Sequence, residues 1–170
     1  GDTWEWNGSN WTERTPQTAP TARWSTAMAY DSGRGVVVLF GGPGLGDTWE
    51  WNGTNWTQRT PPMSPSARFD HAMEYDSARG VTVLFAGEGS DYYFADTWEW
   101  NGSNWTERTP PTAPPARRYH AMAYDSTRGV TVLFGGWHEG DPFGDTWEWN
   151  GSDWTQRNPP TSPPPRWINH

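Results

Sequence analysis

The chain alternates short apolar runs with polar turns, and the alternation repeats. In Asp2-Thr3-Trp4-Glu5-Trp6-Asn7-Gly8 the two Trp stand two apart, so on an extended strand they share one face while Thr3 and Glu5 take the other. Asn7-Gly8 tolerates positive φ and turns the chain into a second run, Asn10-Trp11-Thr12. The pattern predicts a β-hairpin. It returns at 46–53, 95–102 and 144–151, with the first Trp of each copy at 4, 49, 98 and 147. The steps are 45, 49 and 49 residues, and self-similarity of this kind decides the architecture. Three Trp per hairpin are more apolar surface than two strands can bury, so each hairpin belongs to a larger sheet packed against others.

Aligned on this stretch, the repeats give a four-strand unit. A first strand is predicted at 23–30, 68–75 and 117–124, and an Asp-Ser-x-Arg-Gly turn follows each. A second strand is predicted at 36–40, 81–85 and 130–134; in its first copy, Val-Val-Val-Leu-Phe is apolar on both faces, as a strand covered on both sides requires. A Gly-rich loop leads to the Asp-Thr-Trp-Glu-Trp strand, and a mostly polar Trp-Thr strand comes last. Eight-residue Pro-rich connectors close the units at 15–22, 60–67, 109–116 and 158–165. Small side chains in the first strand, double burial in the second and polarity in the fourth describe a wedge-shaped blade. The fold expected is all-β, a β-propeller of four-stranded blades with three complete blades and one split or incomplete.

The order Arg-x-x-His/Thr-Ala-Met, an apolar strand ending in Gly41-Gly42 or Gly135-Gly136, Asp-Thr-Trp-Glu-Trp and Asn-Trp-Thr resembles the kelch repeat, and the bacterial kelch-type repeats most closely. The resemblance spans essentially the whole chain. The second blade departs from it with Ala86-Gly87 in place of the Gly pair. The resemblance implies a propeller of stacked blades, usually used for binding, and no particular chemistry.

The chain is out of phase with its blades. Residues 1–15 make a half blade, 23–59, 68–108 and 117–157 make full ones, and 166–170 begin a further first strand. Trp4, Trp6 and Trp11 would then stand on a bare edge, facing a C-terminal start of Arg166, Trp167 and Ile168. These six residues form the expected assembly edge. Completion from a neighbouring subunit gives an oligomer if the rotation closes and a filament if it does not; closure within one chain gives a small ring; the third alternative is that these residues are an excerpt of a longer array.

Composition narrows the partners. The 170 residues carry a formal charge of −8, all 12 basic residues are Arg, and no Lys is present. An acidic surface argues against nucleic acid, and the longest aliphatic run is far too short for membrane insertion. Cys is absent, which excludes disulfides and thiol chemistry. Fifteen Trp, six Tyr and six Phe set the chain apart from disordered sequences. Together with the resemblance, the aromatic, Lys-free, helix-poor composition suggests an extracellular or cell-surface protein.

The loops between second and third strands vary most, at 41–46, 86–95 and 135–144. The second holds Glu88, Asp91, Tyr92, Tyr93 and Phe94; the third holds Trp137, His138, Glu139 and Asp141. Aromatic planes beside carboxylates suit sugar recognition, because rings stack on C–H faces and acids accept hydroxyl hydrogens. Packing onto a neighbouring blade explains the same aromatics. His71, His120 and His170 are expected along successive first strands as structural residues rather than metal ligands. Asp2, Asp47, Asp96 and Asp145 are expected to bind local backbone, and Arg23, Arg68, Arg117 and Arg166 to bridge blades. Seven Asn-x-Ser/Thr sites (Asn7, Asn10, Asn52, Asn55, Asn101, Asn104 and Asn150) follow from the turn sequence itself. No catalytic set, cofactor motif or metal motif stands out. The expected function is a non-enzymatic structural or interaction protein that self-associates by strand complementation. The alternative is a glycan-binding, lectin-like propeller.

Overall fold

The structure, a computed structural model, describes residues 1–167, and the chain is all-β across them. β1 (Thr3–Trp6) and β2 (Trp11–Arg14) form a two-stranded hairpin. The first blade is β3 (Ala27–Asp31), β4 (Val36–Phe40), β5 (Thr48–Trp51) and β6 (Trp56–Arg59), paired antiparallel in that order. The second is β7 (Ala72–Asp76), β8 (Val81–Phe85), β9 (Thr97–Trp100) and β10 (Trp105–Arg108). In the third, β11 (Ala121–Asp125) and β12 (Val130–Phe134) are followed by a small ribbon, β13 (Trp137–His138) with β14 (Asp141–Pro142). β15 (Thr146–Trp149) and β16 (Trp154–Arg157) complete that blade.

Neighbouring blades meet along their inner strands, β3 beside β7 and β7 beside β11. A cavity of about 330 Å³ is bounded by all three, through Thr26, His71, His120 and the Met of each strand. The three complete blades and the hairpin are thus stacked as consecutive propeller blades.

Burial follows the strand pattern. Val38, Phe40 and Ala29 of the first blade pack against Met73, Leu84, Trp98, Trp100 and Trp105 of the second. Val83 and Phe85 of the second blade meet Leu133, Trp147, Trp149 and Trp154 of the third in the same way. The second strand of the middle blade thus serves two seams, Leu84 facing one and Val83 and Phe85 the other. Trp supplies most of the area, and its indole N–H finds an acceptor when buried.

Two expectations about the repeat change. The first strand begins at Ala27, Ala72 and Ala121, four residues later than predicted. Ser25, Asp70 and Tyr119 adopt positive φ (49°, 54° and 58°), so the segment before each strand bends instead of extending. Asp47 and Asp145 accept a local backbone hydrogen bond as expected, and Asp47, Asp96 and Asp145 in addition hold Arg23, Arg68 and Arg117 through both carboxylate oxygens. The Arg side chains therefore stay within their own blades, and the Arg main chain crosses the seam: Gly42 N–H donates to Arg68 O, and Gly87 N–H to Arg117 O.

Counted from the shared Arg, His71 and His120 match Thr26, while the place after Arg166 falls to Asn169. His170 is one residue later and, with Ile168 and Asn169, lies outside the described residues. His71 packs edge-on to Phe40, and His120 to Phe85, each across a seam.

Candidate functional site

Each seam is held by the same polar pair. Thr and Glu of the third strand face forward, and Trp of the third and fourth strands face back. Trp100 Nε1 donates to Glu50 Oε1 at 2.9 Å and Trp105 Nε1 to Thr48 Oγ1 at 2.8 Å. Trp149 and Trp154 repeat this onto Glu99 and Thr97, at 3.0 and 2.9 Å. Trp51 and Trp56 repeat it onto Glu5 and Thr3 of the hairpin, at 2.7 and 2.9 Å. Glu50, Glu99 and Glu148 each also receive two Arg: Arg34 and Arg59 on Glu50, Arg79 and Arg108 on Glu99, Arg128 and Arg157 on Glu148. Burial raises the Glu148 carboxyl, and the hydrogen bonds from its two Arg outweigh that and hold it below the usual range.

Among the described residues, the two ends of the stack present the unmatched halves of this seam. At one end Trp6 is 52% exposed and Trp11 63%, where Trp100 and Trp105 are 1% and 2% exposed. Trp4 is also exposed, with its indole on Asp2. At the other end Glu148 and Thr146 lie on the end face, Glu148 only 7% exposed beneath Arg128 and Arg157 and Thr146 half-buried, and Phe134 is only partly buried where Phe40 and Phe85 are fully buried. The main chain there continues the repeat: Gly136 N–H donates to Arg166 O and Arg166 N–H to Phe143 O. Arg166 Nε binds Pro164 O, and the side chain is exposed. Trp167 is exposed, and Ile168 lies outside the described residues. Of the expected assembly edge, Trp4, Trp6 and Trp11 thus lie on one end of the stack and Arg166 and Trp167 on the other.

Between the hairpin and the first blade lies a cleft of about 420 Å³. Its walls include Thr3 and Glu5 on one side and Met28, Val37 and Leu39 on the other. Glu5 is held below the usual range first by the Trp51 hydrogen bond and then by Arg14.

The loop residues divide. Phe94 is buried under the Arg68 guanidinium, 3.7 Å from its ring centre, so it supports the Arg68–Asp96 pair rather than a ligand. Tyr92 is exposed and stacks edge-on to Phe94. Tyr93 packs edge-on against both Trp137 and His138. Arg118, which sits beside the repeated Arg117, joins this group. It pairs with Glu88 and lies over the rings of Tyr119, Trp137 and Tyr93 at 4.6, 4.7 and 5.6 Å. Burial, then the Asp70 carboxylate, raises the Tyr119 phenol. Asp91, Glu139 and Asp141 stand exposed around the cluster, apart from Glu88.

Among the described residues no cluster of three or more His, Asp or Glu is placed to hold a metal ion. Compared with known proteins, the chain matches no protein-family model and no curated protein.

Proposed function

We propose that the chain is a non-enzymatic structural or interaction protein, built of kelch-type blades, that works at the cell surface or outside the cell by blade completion between subunits. The observation that carries this reading is the complementarity of the end faces. Trp6 and Trp11 offer the two indole donors that every internal seam uses, and Glu148 and Thr146 offer the two acceptors. A second copy stacked head to tail would place Trp6 on Glu148 and Trp11 on Thr146, with Asp2 in reach of Arg166 as Asp96 is of Arg68. Such a heterologous contact grows into a closed ring or a filament. Burying three exposed Trp gives it an apolar driving force.

Light scattering coupled to size exclusion tests the reading over a concentration series. Oligomers at micromolar concentration, lost in the Trp6→Ala/Trp11→Ala variant, are expected. A monodisperse monomer throughout would overturn it.

A glycan-binding reading has one observation in its favour: Tyr93, Trp137 and His138 form a half-buried aromatic group beside exposed Tyr92, Asp91, Glu139 and Asp141. Absence of signal on a glycan array, for wild type as for Trp137→Ala, counts against it.

A further inference from the structure

We infer that the cleft between the hairpin and the first blade is a strand-acceptor site, which takes a β-hairpin with the chemistry of the repeat's two inner strands. This rests on the blade-completion reading, and concerns a different surface from the Trp6–Trp11 face.

Four observations converge there. First, β1 is hydrogen-bonded only to β2, whereas β5, β9 and β15 each have a strand on both sides. Thr3–Trp6 therefore presents an open edge among the described residues, which is the template for strand addition. Second, the cleft occupies the space that inner strands fill elsewhere. In the next seam Ala29, Val38 and Phe40 sit there and cover Met73, which is 6% exposed; at the cleft the equivalent Met28 is 58% exposed. Tyr30 is likewise 60% exposed where Tyr75 is 8%.

Third, the polar groups around the cleft lack particular counterparts. Glu50, Glu99 and Glu148 each bind the Arg of an Asp-Ser-x-Arg-Gly turn as well as the Arg of the fourth strand. Glu5 binds only the latter, Arg14. Fourth, Tyr75 stands over Gly33 of the preceding turn, with its phenol raised by burial and then by Asp31 of that turn. Tyr30, in the same place, has no preceding turn among the described residues.

One ligand satisfies all four: an extended apolar strand, an Asp-Ser-x-Arg-Gly turn, and a second apolar strand. The register follows from the complete blades, where Phe40 faces Thr48, Leu39 faces Trp49, Val38 faces Glu50 and Val37 faces Trp51. The incoming second strand runs antiparallel to β1, with its terminal Phe opposite Thr3 and its apolar residues opposite Trp4, Glu5 and Trp6. Its alternate side chains cover Met28 and Leu39, its turn Arg reaches Glu5, and its turn Asp reaches Tyr30.

A peptide of residues 117–136 carries this chemistry and contains no Trp, so binding to the whole chain reads out as a shift in tryptophan fluorescence. Saturable binding is expected, about tenfold weaker for a peptide with Arg128→Ala, which loses a charge-assisted bond, and lost with Phe134→Asp. Met28→Asp in the protein alters an exposed side chain, so the fold stays intact by circular dichroism while peptide binding disappears. No binding by the folded wild-type chain at submillimolar peptide overturns the site, as does undiminished binding by Met28→Asp. Peptide binding by a strictly monomeric chain would retire self-association and keep the acceptor site. Oligomers without peptide binding would do the reverse.

Discussion

Trp100 Nε1 donates to Glu50 Oε1 at 2.9 Å across the seam between the first two blades, and Glu50 carries Arg34 and Arg59 on the same carboxylate. Glu50 is 2% exposed, so this is a buried charge whose partners come from three strands or turns of two blades. Glu50→Ala strands two guanidinium groups and one indole donor, and should cost about 3 kcal/mol, as breaking a buried pair does. Glu5 holds only Arg14 and Trp51 on the more open hairpin, so Glu5→Ala should cost about 1 kcal/mol or less. Urea unfolding of the two variants checks the difference; equal losses would mean that the seam is not the source of stability.

The same logic separates chemically identical Trp. Trp100 and Trp149 are fully buried in seams, and replacing either with Ala should cost about 3–5 kcal/mol. Trp6 holds the same repeat position, yet half its surface is exposed. In the dilute chain Trp6→Ala should shift stability by about 0.5 kcal/mol at most, while lowering self-association at high concentration. Thermal unfolding at two protein concentrations reads both effects.

Much of this was legible in the repeat. The alternation of Trp4 and Trp6 with Thr3 and Glu5, the Asn-Gly turn and the doubly apolar second strand sufficed for the hairpins, the blade and its two-sided packing. What local pattern did not carry is which partner each polar residue chooses. Asp47 also pairs with Arg23, which is 24 positions away and is brought back only when the blade closes. Ser25, Asp70 and Tyr119 looked like strand residues because nothing in their side chains announces a positive φ. In the loops, Phe94 resembled a ligand platform, and only the blade's closure puts Arg68 on its face. Arg118 was hidden for the opposite reason: its neighbour Arg117 carries the repeat, and its own role depends on two loops that differ between blades.

Arg68 tests whether the guanidinium fork matters beyond its charge. It is fully buried, binds both oxygens of Asp96, reaches Ala86 O and Ser66 O, and stacks on Phe94. Lys cannot reproduce the planar, multidentate contact, so Arg68→Lys should cost about 2–3 kcal/mol. Arg166, in the same repeat position, has an exposed side chain that among the described residues bonds Pro164 O, and Arg166→Lys should leave the unfolding midpoint unchanged. If Arg68→Lys were also silent, charge alone would account for the repeated Arg.

The dependence of stability on pH should carry two opposite components. Burial raises the carboxyls of Asp31, Asp47, Asp145 and Glu148, but hydrogen bonds outweigh it and leave all four below their ordinary values: from Arg34 on Asp31, Arg23 and Trp49 on Asp47, Arg117 and Trp147 on Asp145, and Arg128 and Arg157 on Glu148. A depressed folded-state value means stability that is complete above the unfolded values, 3.8 for Asp and 4.5 for Glu, and is lost as pH falls through the folded ones. The unfolding temperature should therefore drop steeply below about pH 4. Glu74 runs the other way. It stands where the other blades have Ala29 and Ala123, and burial raises it above 4.5 despite hydrogen bonds from the Tyr75 and Tyr124 backbone. Its protonated form is favoured in the fold, so its contribution is present below 4.5 and lost as pH rises through the raised value. Glu74→Gln removes that loss and should raise the unfolding temperature at pH 7 by about 2 °C, with little change at pH 4. Calorimetry of wild type and variant at both pH values decides it; a variant that gained equally at both would show that the carboxylate charge is not what the seam resists.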